Sequence, residues 1–290
     1  MNNFEIKTVI FRGYKSAYID EGNGEPIIFL HNAGLSHRLF DHQLKHFKKT
    51  HRVIALDSMG FGASDKPNSL TYDAFLYIDQ LNTLLEHLDI QHFHLVGCCV
   101  GGGVAMMFAK RHPEKIKSLT AITVASPLLS KKGMLGAAYT KPGALKYKIL
   151  RYLSASAIAR FAVWPLVMKE QLGKVGMRDD DFRKHCKSGY ANPRVGRTFA
   201  SYNYNSHKEL DTETRPNSFP KLLMIWGEKN KVLNAEHGRS LAQRWRADEQ
   251  LFLKNCGYGV LREQPDLVNT TIERFIHEGD VSGYVKGDIF

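Results

Sequence analysis

The sequence predicts an α/β fold, a mostly parallel sheet with helices on both faces, and three observations carry that prediction. Strand-like and helix-like segments alternate from residue 26 onward, the order that builds parallel strands joined by crossover helices. The strand candidates 26–30, 52–57 and 93–97 are short runs rich in apolar, β-branched or aromatic residues, as buried central strands are. A glycine-rich stretch at 97–103 joins one strand candidate directly to a helix candidate.

Ahead of the first central strand, residues 4–12 and 14–19 read as an antiparallel hairpin at the sheet edge, and 72–88 reads as an amphipathic helix. A second helix, 102–111, ends at His112-Pro113, because proline disfavours helical geometry in the residue before it. Residues 116–125 and 221–226 are further strands, and 235–245, 250–253 and 261–277 complete the alternation. Between 127 and 219 the alternation stops. Helix-like stretches at 143–153, 155–168, 179–188 and 194–204 follow one another with no central strand among them. The chain is therefore read as a core domain, 1–126 with 220–290, interrupted by a helical segment, 127–219, of the kind that covers a site as a lid.

The composition, 43% hydrophobic and 24% charged, is that of a globular protein able to bury a core. No continuous apolar run of membrane-spanning length occurs, and the first residues lack the apolar stretch of a secretory signal, so the expected location is the cytoplasm. The four cysteines, at 98, 99, 186 and 256, show neither a CxxC pair nor a regular frame. No zinc site, disulfide scaffold or cofactor is expected from them. The net charge of +11 is unevenly placed: residues 127–219 carry 17 basic and 7 acidic side chains, and the rest of the chain is nearly balanced. Lys146, Lys148, Arg151 and Arg160 interrupt an apolar stretch over 144–168, which reads as an amphipathic helix with its apolar side to a pocket. The basic face either serves solubility or attracts an acidic partner such as coenzyme A or an acyl carrier protein. Nucleic acid is not expected, since no recognised binding motif accompanies the charge.

Three short motifs carry the chemistry. Gly97-Cys98-Cys99-Val100-Gly101 matches the G-x-S-x-G nucleophile elbow, with Cys99 in the serine position. Its glycines are needed where a tight strand-to-helix turn brings backbone segments together. His31-Asn32-Ala33-Gly34 follows a strand directly, and Asn32 is expected to tolerate the left-handed backbone of such a turn. Asp57-Ser58-Met59-Gly60-Phe61-Gly62 is a glycine-containing loop after another strand.

Together these features resemble the α/β-hydrolase superfamily, and within it the lidded branch of epoxide hydrolases and carbon–carbon bond hydrolases, over nearly the whole chain. The resemblance implies an eight-stranded sheet with the lid inserted after the sixth strand. It implies a triad acid after the seventh strand, where LLMIWGEKNKV places Asn230, and a triad histidine ahead of Glu263-Gln264-Pro265, where Tyr258 stands. It further implies an oxyanion hole from the N–H groups of Ala33 and Val100, with His31, Asn32 and Cys98 at the substrate pocket.

Each departure removes a separate function. A serine-type mechanism needs a base for the nucleophile's proton and a carboxylate to orient that base, and Tyr258 and Asn230 supply neither. Cys99 retains nucleophilic potential, and the helix N-terminus it occupies is expected to lower its pKa. Two readings follow. One is a non-hydrolytic enzyme acting on a small apolar, acyl-type substrate, by acyl transfer through Cys99 or by lyase, isomerase or cyclase chemistry. The other is an inactive relative that binds a small molecule or a protein, with Asn230 and Tyr258 hydrogen-bonded to each other in vacated space. Substitution by a lid histidine, His185 or His207, is a weaker third.

Overall fold

In a computed structural model, which describes residues 4–127, 169, 175 and 177–281, eight strands form one sheet in the order β1-β2-β4-β3-β5-β6-β7-β8. The strands are β1 (Lys7–Phe11), β2 (Tyr14–Glu21), β3 (Pro26–Leu30), β4 (Arg52–Leu56), β5 (Phe93–Cys98), β6 (Ile116–Ile122), β7 (Leu222–Gly227) and β8 (Glu249–Leu253). β1 and β2 form the expected edge hairpin, and β2 meets β4 antiparallel. From β4 to β8 every pairing is parallel. β5 and β7 are buried along their whole length, which is why they appear in the sequence as apolar runs without alternation.

Among the described residues the helices are α1 (Asp41–Phe47), α2 (Ala74–His87), α3 (Val100–Arg111), α4 (Asp180–Ala191), α5 (Pro193–Ser201), α6 (Glu209–Thr212), α7 (Ala235–Arg244), α8 (Val260–Glu263) and α9 (Pro265–Glu278). Asp73 caps α2 by accepting from the Leu76 N–H at 2.8 Å, and Asp179 caps α4 by accepting from the Phe182 N–H at 3.0 Å, each filling an otherwise unmet donor of the first turn. Two expectations are corrected. The helix foreseen over 261–277 is two, because Pro265 opens α9 and supplies no N–H to continue α8. α1, with its single turn of 3-10 helix before it, was not foreseen. The amphipathic stretch over 144–168 lies outside the described residues.

The described end of the 127–219 segment lies against the core. Arg262 on α8 donates to Asp179 Oδ2 at 2.7 Å, to Asp41 Oδ2 at 3.2 Å and to the Arg38 carbonyl at 2.8 Å. Its guanidinium lies 3.3 Å from the centre of the Phe182 ring. The Tyr190 ring packs on Gly34 and the Thr198 side chain on Gly60, so α4 and α5 cover the loops that follow β3 and β4.

Candidate active site

β5 ends at Cys98, α3 begins at Val100, and Cys99 between them has φ 55° and ψ −113°. A side chain held in this rarely occupied region is strained and needs surrounding contacts to hold it. Those contacts are present: Cys99 N–H donates to the Ile122 carbonyl at 2.9 Å, and its own carbonyl accepts from Gly103 N–H at 3.0 Å and Ala125 N–H at 3.1 Å. The flanking glycines are needed for close approach. A Cβ on Gly97 would collide with the Gly101 carbonyl, and one on Gly101 with the carbonyls of Leu30 and His31. From Phe93 to Ala109, Cys99 is the only residue that is not fully buried.

The Tyr258 hydroxyl and the Val100 N–H stand by the Cys99 sulfur and favour its anion, but burial outweighs both and pushes the thiol up to about 11. The expectation that the helix N-terminus lowers its pKa is thereby corrected. Desolvation of an anion exceeds the pull of one helix end when no cation stands nearby. Cys98, in the strand, is buried and its thiol is raised further by burial. It packs as a small apolar side chain.

Tyr258 is buried, and its hydroxyl oxygen accepts from Asn32 Nδ2 at 3.1 Å. Burial, followed by the neighbouring thiols, raises its pKa well above the usual phenol value. The amide of Asn32, the phenol of Tyr258 and the thiol of Cys99 thus form a chain of neutral groups. Asn32 does not take up the left-handed backbone expected of it; Gly34, at φ 88°, does. What Asn32 contributes is its side chain, a role that reading the turn as backbone alone missed.

Asn230 lies on the neighbouring loop. Lys229 N–H donates to the Cys256 carbonyl at 2.9 Å, joining the loops after β7 and β8. Asn230 Oδ1 accepts from the Val232 N–H at 2.9 Å and the Leu233 N–H at 2.8 Å, so its oxygen organises its own turn. The expected hydrogen bond between Asn230 and Tyr258 is absent among the described residues: Tyr258 is turned to Asn32 and Cys99.

His31 is buried, its Nδ1 donating to the Asn32 carbonyl at 2.6 Å and its Nε2 accepting from the Ser58 N–H at 3.0 Å. Both nitrogens are used, and burial lowers its pKa, so it supports the turn as a neutral ring. The segment's histidines His185 and His207 have partners of their own. His185 Nε2 hydrogen-bonds Ser36 Oγ at 2.8 Å, and His207 pairs with the Tyr202 hydroxyl and packs on Gly103. Burial pushes each down to about 4. Ala33 and Val100, whose N–H groups the resemblance points to, are both buried.

Asp57, noted only as the start of a glycine loop, proves to be a buried charge that ties together the loops after β3 and β4. It is fully buried and accepts from the His37 N–H at 2.6 Å, His37 Nδ1 at 3.0 Å and the Ala63 N–H at 2.7 Å. Although burial opposes it, the His37 cation and these donors hold the carboxyl at about 2. Among the described residues no group of three or more histidine, cysteine or acidic side chains is placed to hold a metal ion, and no helix is long and apolar enough to cross a membrane.

The strained turn at Cys99, the sheet order and the loops after β7 and β8 define a class of protein. The family model for the alpha/beta hydrolase fold matches residues 25–258, and the chain belongs to that family. It is 25% identical over 283 residues to the 2-hydroxymuconate semialdehyde hydrolase of Pseudomonas putida, covering 94% of this chain and 95% of that protein. It is 23% identical to Epoxide hydrolase 2 of Caenorhabditis elegans, covering 96% of this chain and 81% of that one. The crystal structure of the enol-lactonase from Burkholderia xenovorans LB400 superposes with a TM-score of 0.76 at 17% identity, over 94% of this chain and all of that one. This last likeness is one of fold.

Proposed function

We propose that this α/β-hydrolase-fold protein does not hydrolyse esters, and that its elbow site binds and polarises a small apolar carbonyl compound through neutral donors. In this reading Cys99, Asn230 and Tyr258 occupy the three triad positions. The observation that carries it is the neutral chain from Asn32 through Tyr258 to Cys99. At neutral pH a thiol of pKa about 11 is about one part in 10⁴ thiolate, and deacylation by water needs a base that a phenol does not supply. The donors available to a carbonyl oxygen are the Ala33 and Val100 N–H groups and the Tyr258 hydroxyl, an arrangement suited to lyase, isomerase or cyclisation steps or to binding alone. Residues 127–219 act as the lid. The packing of Tyr190 on Gly34 and Thr198 on Gly60 supports this. Relatives named for a semialdehyde and for epoxides accord with a small organic ligand.

A second reading is acyl transfer through Cys99, with coenzyme A or an acyl carrier protein drawn to the basic segment. The Tyr258 hydroxyl and the Val100 N–H, which favour the anion, and the partial exposure of Cys99 support it. One set of assays separates the readings. With p-nitrophenyl butyrate the protein should show no steady-state turnover and no acyl mass on Cys99, while the Cys99→Ser, Asn230→Asp, Tyr258→His triple variant gains measurable esterase activity. Acylated Cys99 in the unaltered protein would favour transfer. Sustained turnover by the unaltered protein would overturn both.

A further inference from the structure

The strand ends around the elbow leave hydrogen-bonding capacity unused. Among the described residues, the buried atoms without a partner include Asn32 Oδ1 after β3, Thr123 Oγ1 after β6 and Asn230 Nδ2 after β7. All three residues are at most 6% exposed. They lie at the carboxyl end of the parallel strands, where open α/β sheets bind ligands. Thr123, moreover, holds φ 47°, strained for a β-branched residue.

Asn32 is the most sharply defined of the three. Its Nδ2 is committed to the Tyr258 oxygen at 3.1 Å, and its Oδ1 has no partner among the described residues. Oδ1 is thus a bare acceptor on a buried residue. A buried acceptor without a donor is expensive relative to one that is paired. We infer that Asn32 is a specificity-determining residue whose amide oxygen accepts a hydrogen bond from the ligand, so that the compound held at the elbow is a small neutral carbonyl compound that also bears a hydroxyl group.

This rests on the reading of the elbow as a neutral carbonyl site and narrows it. The remaining atoms agree in kind: the Asn230 amide offers a donor and the Thr123 hydroxyl offers either role. A hydroxycarbonyl compound satisfies such a mixed set, whereas a plain ketone or ester supplies acceptors only. A site built around a substrate hydroxyl discriminates strongly against the analogue that lacks it, because its own polar group is then left unpaired.

Calorimetric titration with 1-hydroxy-2-alkanones of six to ten carbons, each matched to the 2-alkanone of the same length, tests this. The unaltered protein should prefer the hydroxyketone by about ten- to a hundredfold, and Asn32→Gly and Asn32→Ala should bind the plain ketone while losing most of that preference. Equal binding of the two series by the unaltered protein, as expected if ordered water takes the oxygen, overturns the role of Asn32 and leaves the carbonyl site standing. So does a preference that persists in both variants. If the unaltered protein binds neither series, the carbonyl reading fails and the inference falls with it.

Discussion

Replacing Asp57 by Asn tests how the loops after β3 and β4 are held. The carboxylate has no accessible surface, and its two oxygens accept three hydrogen bonds, two from His37 and one from Ala63. Its pKa falls from 3.8 to about 2 on folding. The folded value is depressed, so its stabilising contribution is present above the unfolded pKa and disappears as pH falls through the folded one. That contribution is about 2 to 3 kcal/mol at pH 7. Asn keeps one acceptor but turns an N–H₂ toward a backbone N–H, adding about 1 kcal/mol for the unmade bond. Urea unfolding at pH 6 should therefore show Asp57→Asn destabilised by about 3 to 4 kcal/mol. At pH 3 the difference should be smaller by about 1 kcal/mol, since the unfolded carboxyl is by then mostly protonated. A difference below 1 kcal/mol at pH 6, or one unchanged between pH 6 and pH 3, would refute the reasoning.

Acidification should act earlier through His207, whose pKa is pushed by burial from 6.5 to about 4. A histidine held neutral in the fold contributes stability above pH 6.5 that is lost as pH falls toward 4, up to about 3 kcal/mol. His207→Phe should flatten the stability profile in that window, and an unchanged slope would contradict this. Arg262→Ala should cost about 2 to 4 kcal/mol by leaving Asp41 and Asp179 without their shared partner. It should also open 177–191 to limited proteolysis before the core, and simultaneous cleavage would count against separate anchoring. In Gly101→Ala, the new methyl would meet the Leu30 and His31 carbonyls. The variant should fall by about 1 to 3 kcal/mol, with Cys99 displaced, as read by urea midpoint and loss of ligand binding.

The sheet was legible because strands buried on both faces leave continuous apolar runs, and β3, β5 and β7 stand within a residue of their predicted places. The elbow was legible because Gly97 and Gly101 are required by contacts that no other residue permits. α1 was not: its seven residues include two histidines, a lysine and an aspartate, and its apolar positions are too few to show a period. The roles of Asn32 and Asp57 were hidden for another reason. Each depends on a partner distant in sequence, Tyr258 for one and His37 for the other. The direction of the Cys99 shift was misread because a helix N-terminus is visible in the sequence, whereas the burial that opposes it is a property of the packed fold.

The proposed function requires Cys99 to be a neutral thiol beside neutral partners. Its rate of alkylation by iodoacetamide, followed at the peptide containing Cys99 by mass spectrometry from pH 6 to pH 10.5, measures that state most directly. With the thiol at about 11, the rate should rise about tenfold per pH unit across that range without levelling off. A rate that reaches its plateau below pH 8 would mean a thiolate at neutral pH, and would contradict the neutral site.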